Sequence, residues 1–352
     1  MSKQAFQAPS ALVPAESRPP APAPAVDRWD EARRLAPLLV AIVGVGIYAT
    51  TRSDTFLTLD NVQNIFQQIA VLGILCIGAM LLLIGGKIDL SVGSAVSLVA
   101  VIGAKLLEGG TSQPVTAVLM VALGAAIGAG IATVVVTTRV QPFILTLGCL
   151  SVFSALALVI SNNASISTGL SFSSLSIDEI GPLPVPAIIY LGLAALGALL
   201  LRFTVLGRRA YAMGSNDEAA FLAGVPLRRT TVALYTINGA LVGLAALMLV
   251  ARVGSGDPAG GAGLELQAIT AVVLGGATLS GGRGTMLGAF FGVLLLGVIS
   301  NALQISGVSA SWAQFVYGGV LIVAVVWAAL RERGLLQRAR RRSDGAGAEV
   351  TG

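Results

Sequence analysis

Few residues in this chain have the types and spacing needed for acid–base or nucleophilic chemistry. The sequence contains no histidine and two cysteines, so it can form neither a Ser-His-Asp triad nor a histidine-bearing zinc site. Cys76 and Cys149 both lie inside apolar runs, where cysteine usually acts as a small buried hydrophobic residue. We therefore expect no catalytic residues, no resident metal and no enzyme activity in this chain.

A short polar motif, GGKIDLSVG at residues 85–93, contains the charges Lys87 and Asp89 at the edge of an apolar segment. We expect the two charges to pair with each other, or Asp89 to cap the following helix, because a carboxylate stabilises the positive end of a helix dipole. A proton or sodium site would need a carboxylate deeper in a bilayer, and Glu265 also lies at a segment edge. The residues of this inner-side loop motif are Gly85, Gly86, Asp89, Ser91 and Gly93.

The glycine-rich motifs of the chain do not fit nucleotide binding. Gly86-Lys87 is followed by Ile88 rather than by Ser or Thr, and no strand pattern precedes the Gly-x-Gly sequences that begin at residues 254 and 282. The sequence therefore predicts no cofactor bound by this chain. Any energy from ATP–Mg would have to be supplied by a separate chain.

The segment Leu206–Pro226 is a polar island between two long apolar runs. It contains SNDE at residues 215–218, a capping-box pattern in which the Ser215 hydroxyl bonds the Glu218 amide and the Glu218 carboxylate reaches back to Ser215. Gly224 offers a left-handed residue at the end of the helix, and a proline follows two residues later. The pattern predicts one short helix of about two turns outside the bilayer, which another protein could hold.

The apolar composition of the chain predicts that membrane-spanning helices hold these motifs in place. Hydrophobic residues make up 55% of the 352-residue chain and charged residues 11%, and the apolar runs are about 17–25 residues long, enough to cross a bilayer. We predict an all-α polytopic membrane protein in which the third and eighth of ten spans are short or broken. The predicted spans are Leu35–Thr51, Ile65–Ile84, Val92–Leu107, Pro114–Thr137, Phe143–Ile160, Leu183–Phe203, Thr230–Ala251, Leu266–Leu279, Met286–Ile305 and Ser311–Leu330.

The distribution of charge predicts the orientation of the chain. With both termini in the cytoplasm, all but Arg52, Lys105 and Arg252 of the 22 Lys and Arg residues lie on the inner side. This asymmetry accounts for the net charge of +5, so we expect no nucleic-acid partner. Residues 1–34 are expected to form a disordered Pro/Ala-rich cytoplasmic tail, residues 35–330 a transmembrane domain, and residues 331–352 a basic cytoplasmic tail.

Two further features concern the interior of the predicted bundle. Small-residue spacings at Gly124/Gly128 and Gly288/Gly292 predict close helix packing, within the chain rather than across a dimer. Neutral polar groups inside the spans are candidates to line a substrate pathway for an uncharged, hydroxyl-rich molecule such as a pentose or hexose; alternatively, they bond across helices. These candidates are Gln67, Gln68, Ser94, Thr146, Asn238 and Asn301.

The sequence EAAFLAG at residues 218–224 fits E-A-A-x-x-x-G, the cytoplasmic loop signature of ABC importer permeases. Together with four longer stretches, it makes the chain, from about residue 35 to 330, resemble the ribose/xylose/galactose-type monosaccharide permeases. The four stretches are GGKIDLSVG (85–93), TLGCLSVFSALALVIS (146–161), GRRAYAMGSNDEAAFLAGV (207–225) and AVVLGGATLSGGRGT (271–285).

The resemblance implies an inner-membrane permease that forms a homodimer among membrane lipids. It would import a monosaccharide or related polyol with a two-module ABC ATPase and a periplasmic sugar-binding protein. Phe221 and Leu222 would insert into a cleft of the ATPase. The implied coupling helix comprises Ser215, Asn216, Asp217, Glu218, Ala219, Ala220, Phe221, Leu222 and Gly224.

Other function classes stay open at this stage. The most similar alternative is a branched-chain amino acid ABC permease, which shares the architecture. An ion-coupled secondary transporter is disfavoured because no carboxylate is predicted near the middle of the membrane. An intramembrane enzyme is disfavoured by the missing histidine and by the lack of a nucleophile–base pair.

Overall fold

The computed structural model describes residues 28–308, 312, 315–320, 322–323 and 326. Most of the predicted N-terminal tail, the C-terminal tail 331–352 and most of the predicted tenth span lie outside these residues. The described part is built almost entirely of helices, as the all-α prediction requires. The helices are α1 (Arg28–Arg52), α2 (Leu59–Ile84), α3 (Val92–Glu108), α4 (Gln113–Thr138), α5 (Pro142–Ile160), α6 (Ser174–Ile177), α7 (Val185–Phe203), α8 (Val205–Ser215), α9 (Asp217–Leu222), α10 (Leu227–Val253), α11 (Leu264–Leu274) and α12 (Met286–Ile305).

Each predicted span inside the described ranges overlaps a helix, and α12 has the predicted bounds at both ends. The helix α11 ends at Leu274, five residues before the predicted end of the eighth span. The helix α2 instead begins at Leu59, six residues before the predicted start. The Thr58 hydroxyl accepts from the Asn61 amide, so a polar first turn extends the helix beyond its apolar run. Span edges read from hydropathy alone miss such capped polar turns.

The prediction of ten spans is not confirmed. Seven described helices are long and apolar enough to cross a membrane, namely α1, α2, α4, α5, α7, α10 and α12. The third and eighth predicted spans correspond to α3 and α11, which have 17 and 11 residues. They are the two elements for which short or broken helices were predicted.

The N-terminal ends of the short helices α3 and α11 meet inside the bundle. Gly93, in the first turn of α3, lies directly against the Glu265 carboxylate and the Gly261 carbonyl, with no room for a side chain. The Gly261 amide also donates to the Ser97 hydroxyl over 2.9 Å. The first turns of the two short helices therefore contact each other within the bundle.

Helix α10 packs on α4 through glycines on both sides. A side chain at Gly124 would collide with the backbone at Gly239 and Gly243, and one at Gly128 would collide with the Tyr235 carbonyl. These contacts let the two backbones touch, which favours helix association in lipid. The prediction that Gly124 and Gly128 pack within the chain is confirmed. The same holds for Gly288 and Gly292 of α12, which lie against the backbone of Gly275 and Ala271 next to and within α11.

The bundle has two distinct ends, separated by the length of α10, about 40 Å. The α9 end carries α8, α9 and the start of α10. The opposite end carries four two-residue strands in two antiparallel pairs, β1 with β4 and β2 with β3. The strands are β1 (Ile166–Ser167), β2 (Glu179–Ile180), β3 (Leu183–Pro184) and β4 (Ser255–Gly256).

Candidate functional site

The polar island forms two helices rather than the single one predicted. Ser215 is the last residue of α8, and its hydroxyl donates to the Tyr211 carbonyl over 2.8 Å. The predicted capping box of Ser215 with Glu218 is therefore wrong. Because α8 continues through Ser215, the Ser215 hydroxyl bonds backwards to Tyr211 instead of forwards to the Glu218 amide, and Asn216 becomes the N-cap of α9.

Asn216 is the N-cap of α9. Its backbone is extended, with φ −163° and ψ 107°, and its side-chain oxygen accepts from the Ala219 amide over 2.9 Å. Asp217 and Glu218 occupy the first turn, where their charges stabilise the positive end of the helix dipole. The acidic residues are thus placed as predicted, but the capping atom belongs to the residue after Ser215.

The end of α9 is formed as predicted, by a glycine in the left-handed region. Gly224 has φ +79°. Its amide donates to the Phe221 carbonyl over 2.9 Å, and the Val225 amide donates to the Ala220 carbonyl over 3.0 Å. This pair of bonds is the Schellman arrangement, which stops a helix within one residue.

The outer face of α9 is apolar and exposed. Ala220 is 4% exposed and faces the protein, whereas Phe221 is 66% exposed and Leu222 is 80% exposed. Two large hydrophobic side chains side by side in a polar segment are typical of a surface that a partner covers. Exposed arginines flank the helix on both sides, at positions 208, 209, 228 and 229.

An ion pair joins α9 to the α2–α3 connection, residues 85–91. The Lys87 ammonium lies 3.2 Å from a carboxylate oxygen of Asp217, the first residue of α9. The predicted pairing of Lys87 with Asp89 is wrong, because Asp89 turns into the interior and leaves Lys87 facing α9. Since the partners are 130 residues apart, local sequence could not indicate the pair.

Beside this ion pair, three connections meet through backbone atoms. The Gly282 amide donates to the Ile84 carbonyl over 2.9 Å. Gly214 lies against both of these residues, and Gly281 lies against Gly86 and Gly214. We call Gly86, Gly214, Gly281 and Gly282 the glycine joint. It connects the end of α2, the α8–α9 segment and the α11–α12 connection.

Asp89 is buried deep in the bundle, contrary to the predicted position at a span edge. One carboxylate oxygen accepts from the Ser91 amide at 2.9 Å and from the Ser91 hydroxyl at 2.6 Å, and the other accepts from the Asn238 amide group at 3.0 Å. Asn238 lies about 16 Å along α10 from its start. The α2–α3 connection therefore enters the bundle, a path that the length of an apolar run does not reveal.

The predicted cap of α3 by Asp89 is not formed in the usual sense, because Ser91 occupies the N-cap position. Glu265 does lie at the edge of its helix, as the second residue of α11, but this edge is inside the bundle. One of its carboxylate oxygens is buried and has no hydrogen-bond partner among the described residues. The argument that carboxylates are missing from the interior is therefore wrong, although both oxygens of Asp89 are already occupied by protein groups.

Most candidate pathway residues bond to other parts of the chain. Asn301 and Asn61 exchange two amide hydrogen bonds of 2.8 and 2.9 Å. The Thr146 hydroxyl accepts from the Leu90 amide over 3.1 Å, and the Ser94 hydroxyl donates to the Ser91 carbonyl over 2.9 Å. With Asn238 bound to Asp89, three of these residues tie elements together, whereas the Ser94 bond stays within the start of α3. Gln67 makes no side-chain hydrogen bond within the described residues.

The remaining candidate, Gln68, lines a cavity of about 410 Å³ towards the opposite end. The cavity lies between α2, the end of α10, the start of α11 and α12. Its polar lining consists of Gln68, Arg252, Gln267, Ser300, Gln304 and Tyr317. Sequence reasoning placed Gln68 in a pathway but missed the other five. The sequence did offer one indication of this cavity, because Arg252 is one of the three cations that do not fit the inner-side distribution of Lys and Arg.

Comparisons with known proteins give a consistent result. A family sequence model described as branched-chain amino acid transport system / permease component matches residues 61–325. The ribose import permease protein of Escherichia coli (strain K12) is 36% identical over 293 residues, covering 82% of this chain and 91% of that protein. The ribose import permease protein of Bacillus subtilis (strain 168) is 34% identical over 298 residues, covering 84% and 92%. The D-allose transport system permease protein of Escherichia coli (strain K12) is 33% identical over 301 residues, covering 84% and 91%. No solved structure matches this chain.

Proposed function

Because the chain belongs to the family described as branched-chain amino acid transport system / permease component, we propose that it is the membrane-spanning permease subunit of an ATP-driven importer. It performs no chemistry; it changes which side of the membrane its pathway faces. The observation that carries this proposal is α9, a short capped helix that presents exposed Phe221 and Leu222 and is tied by Lys87 to the interior.

The cargo is a monosaccharide or a related polyol. The relatives reported above are named for ribose and D-allose over more than 80% of this chain. The alternative of a branched-chain amino acid is not favoured, because the relatives that match most of the chain are named for sugars. A neutral sugar also suits an interior whose polar groups are largely amides and hydroxyls.

The α9 end faces the cytoplasm in this proposal, and both termini lie there too. The support is the charge asymmetry, since exposed arginines precede and follow α9 in the chain while the opposite end carries few cations. The membrane is the bacterial inner membrane, and lipid covers the apolar outer faces of the long helices.

The partner at the α9 end is an ABC ATPase subunit, which holds the ATP–Mg. Its docking cleft should have an apolar floor for Phe221 and Leu222, because burying two such side chains contributes about 1.5–3 kcal/mol each. The exposed arginines at 208, 209, 228 and 229 predict an acidic rim around that cleft.

Movement of α9 would reach the pathway by two routes. The ion pair of Lys87 with Asp217 leads into the α2–α3 connection, and from there Asp89 leads to Asn238 in α10. The glycine joint leads from α8 to the connection between α11 and α12. The first route passes the start of α3 and the second reaches the end of α11, the two short helices whose N-terminal ends meet, so a movement of either helix would change access there.

A periplasmic sugar-binding protein would deliver the cargo at the opposite end, and two copies of the permease would form a homodimer. The glycines of α4 and α10 are already used for packing within the chain. The dimer surface must therefore lie on other helix faces. Gln67 and Gln68, on α2, remain candidate pathway residues in this arrangement.

The test is association of the purified permease with its cognate ATPase, together with ATP-driven uptake into proteoliposomes that contain the loaded binding protein. Phe221→Ser with Leu222→Ser should weaken ATPase association at least about tenfold, because it removes more than 1.4 kcal/mol of burial. The matched control is Leu170→Ser, since Leu170 is also 80% exposed but lies at the opposite end.

Leu170→Ser should leave ATPase association unchanged. Undiminished association and sugar uptake by the Phe221/Leu222 variant would exclude α9 as the docking helix. Stabilisation of the cognate binding protein by leucine or valine and by no sugar would overturn the proposed cargo class.

A further inference from the structure

Arg252 differs from the other two cations expected at the opposite end. The Arg52 guanidinium lies 5.3 Å from the centre of the Tyr48 ring, and the Lys105 ammonium lies 2.7 Å from the Glu108 carboxylate. Arg252 makes no hydrogen bond or ion pair with any residue that the structure describes, and it lines the 410 Å³ cavity. Arg252 is exposed in the last turn of α10, so its guanidinium is free to donate to a ligand in the cavity.

The same cavity contains an acceptor without a partner. The Gln68 amide nitrogen donates to the Gln304 side-chain oxygen over 2.8 Å. The Gln68 side-chain oxygen is buried and accepts no hydrogen bond from the described residues. Leaving such an atom unpaired costs about 1–3 kcal/mol. A ligand that donates a hydrogen bond to Gln68 would remove this cost.

The unpaired donor and the unpaired acceptor together restrict the ligand. A carboxylate could pair with Arg252 but has no proton for the Gln68 oxygen, whereas a hydroxyl both donates and accepts. A zwitterionic amino acid would place its ammonium beside Gln68, with no carboxylate in the cavity lining to compensate that charge. Several hydroxyls also suit the remaining amide and hydroxyl groups, from Gln267, Ser300 and Gln304.

We propose that this cavity is a sugar-binding station inside the permease, located in the half of the pathway nearer the opposite end. Arg252 donates to one or two sugar hydroxyls, and the side-chain oxygen of Gln68 accepts from a neighbouring one. The volume of about 410 Å³ lies within the range of roughly 300–1,000 Å³ that is usual for small-molecule sites. The inference rests on the proposed sugar cargo and adds that the permease itself helps to select it.

The experiment uses the full-length permease alone in lipid nanodiscs, without ATPase or binding protein. Saturation-transfer NMR, which detects weak binding, would be recorded with D-ribose, D-xylose, D-allose, D-galactose, galacturonate and leucine. At least one neutral sugar should bind, and binding should weaken about fivefold or more in Arg252→Gln and in Gln68→Leu, because each variant loses a hydrogen bond to the sugar.

The matched controls are Arg52→Gln and Gln63→Leu, which alter an arginine and a glutamine outside the cavity lining. Both should bind sugar as the wild type does. Absence of sugar binding to the wild type, or unchanged binding by both cavity variants, would overturn the proposal. Stronger binding of galacturonate or leucine than of any sugar would replace hydroxyl recognition by recognition of a carboxylate or a zwitterion.

The proposed function is tested separately by ATP-driven sugar uptake into proteoliposomes that contain the whole transporter. Uptake without sugar binding to the nanodisc permease would remove the station and leave the importer function intact. Sugar binding without uptake by the assembled wild-type transporter would keep the sugar-binding station and contradict the importer function.

Discussion

The Lys87 ammonium lies 3.2 Å from a carboxylate oxygen of Asp217 and so links the first residue of α9 to the connection that runs into the bundle. The side chains are 16% and 55% exposed. A partly exposed pair of this kind contributes at most about 1 kcal/mol to stability. Its importance is therefore positional, because it fixes where α9 lies relative to the α2–α3 connection.

Reversing either charge should impair transport more than stability. We expect Lys87→Glu and Asp217→Lys each to lower ATP-driven uptake severalfold while thermal unfolding stays close to that of the wild type. The double variant restores opposite charges and should recover part of the uptake. Lys105→Glu breaks the other described ion pair, at the opposite end, and should leave ATPase association intact. Failure of the double variant to improve on both single variants would contradict a coupling role for the pair.

The two polar residues at the start of α9 should behave differently. Asn216→Ala removes the side chain that caps the helix and should cost about 1 kcal/mol of local stability, whereas Ser215→Ala removes a bond within the last turn of α8. We therefore expect weaker ATPase association and faster proteolysis near α9 for Asn216→Ala only. A larger effect of Ser215→Ala than of Asn216→Ala on these two measurements would instead support the capping box that the sequence predicts.

Gly224 should tolerate asparagine but not valine. Its φ of +79° suits glycine and, less well, asparagine, and nothing lies within 4 Å of a side chain placed there. Gly224→Val should therefore cost about 1 kcal/mol or more through backbone strain alone, with loss of uptake but normal insertion. Equal uptake by the valine and asparagine variants would show that transport does not depend on a left-handed residue at the end of α9.

Asn238→Ala should destabilise the permease more than Asp89→Asn. Removing Asn238 leaves one oxygen of the buried Asp89 carboxylate without its partner, at a cost of about 2 kcal/mol or more. Asp89→Asn removes the charge and keeps an acceptor for the Ser91 groups. Thermal unfolding in detergent, with expression level as a second measure, decides the order. The reverse order would mean that the charge itself stabilises the bundle.

The orientation of the chain can be checked with reporter fusions. Fusions after Ser174 and after Gly214 are separated by α7, one of the long apolar helices, and should report opposite sides of the membrane. The fusion after Gly214 should report the cytoplasm. Signals from the same side would contradict both the predicted topology and the assignment of the α9 end.

Local features of the site could be predicted from the sequence, because their causes are local. Gly224 ends α9 through its own backbone preference, and the apolar run of α12 marks both of its ends. The start of α9 could not be predicted to the residue. Whether Ser215 caps one helix or ends another depends on how far α8 continues, which the four residues of the capping pattern do not contain.

The long-range contacts were beyond sequence reasoning. Lys87 meets Asp217 and Asp89 meets Asn238 only because the α2–α3 connection turns into the bundle instead of following its surface. A hydropathy profile shows the length of each apolar segment, but it cannot show at what depth in the bundle the following segment begins. The cavity was missed for the same reason, since its polar lining comes from α2, α10, α11 and α12.

The glycine joint has a mechanical consequence. Side chains absorb displacement by changing rotamer, whereas Gly86, Gly214, Gly281 and Gly282 have no rotamers, and backbone atoms touch directly. A displacement of α8 is therefore transmitted almost fully to Ile84 and to the α11–α12 connection. A single methyl group at Gly214 would act as a wedge in this contact, holding the three connections apart even while each helix remains folded.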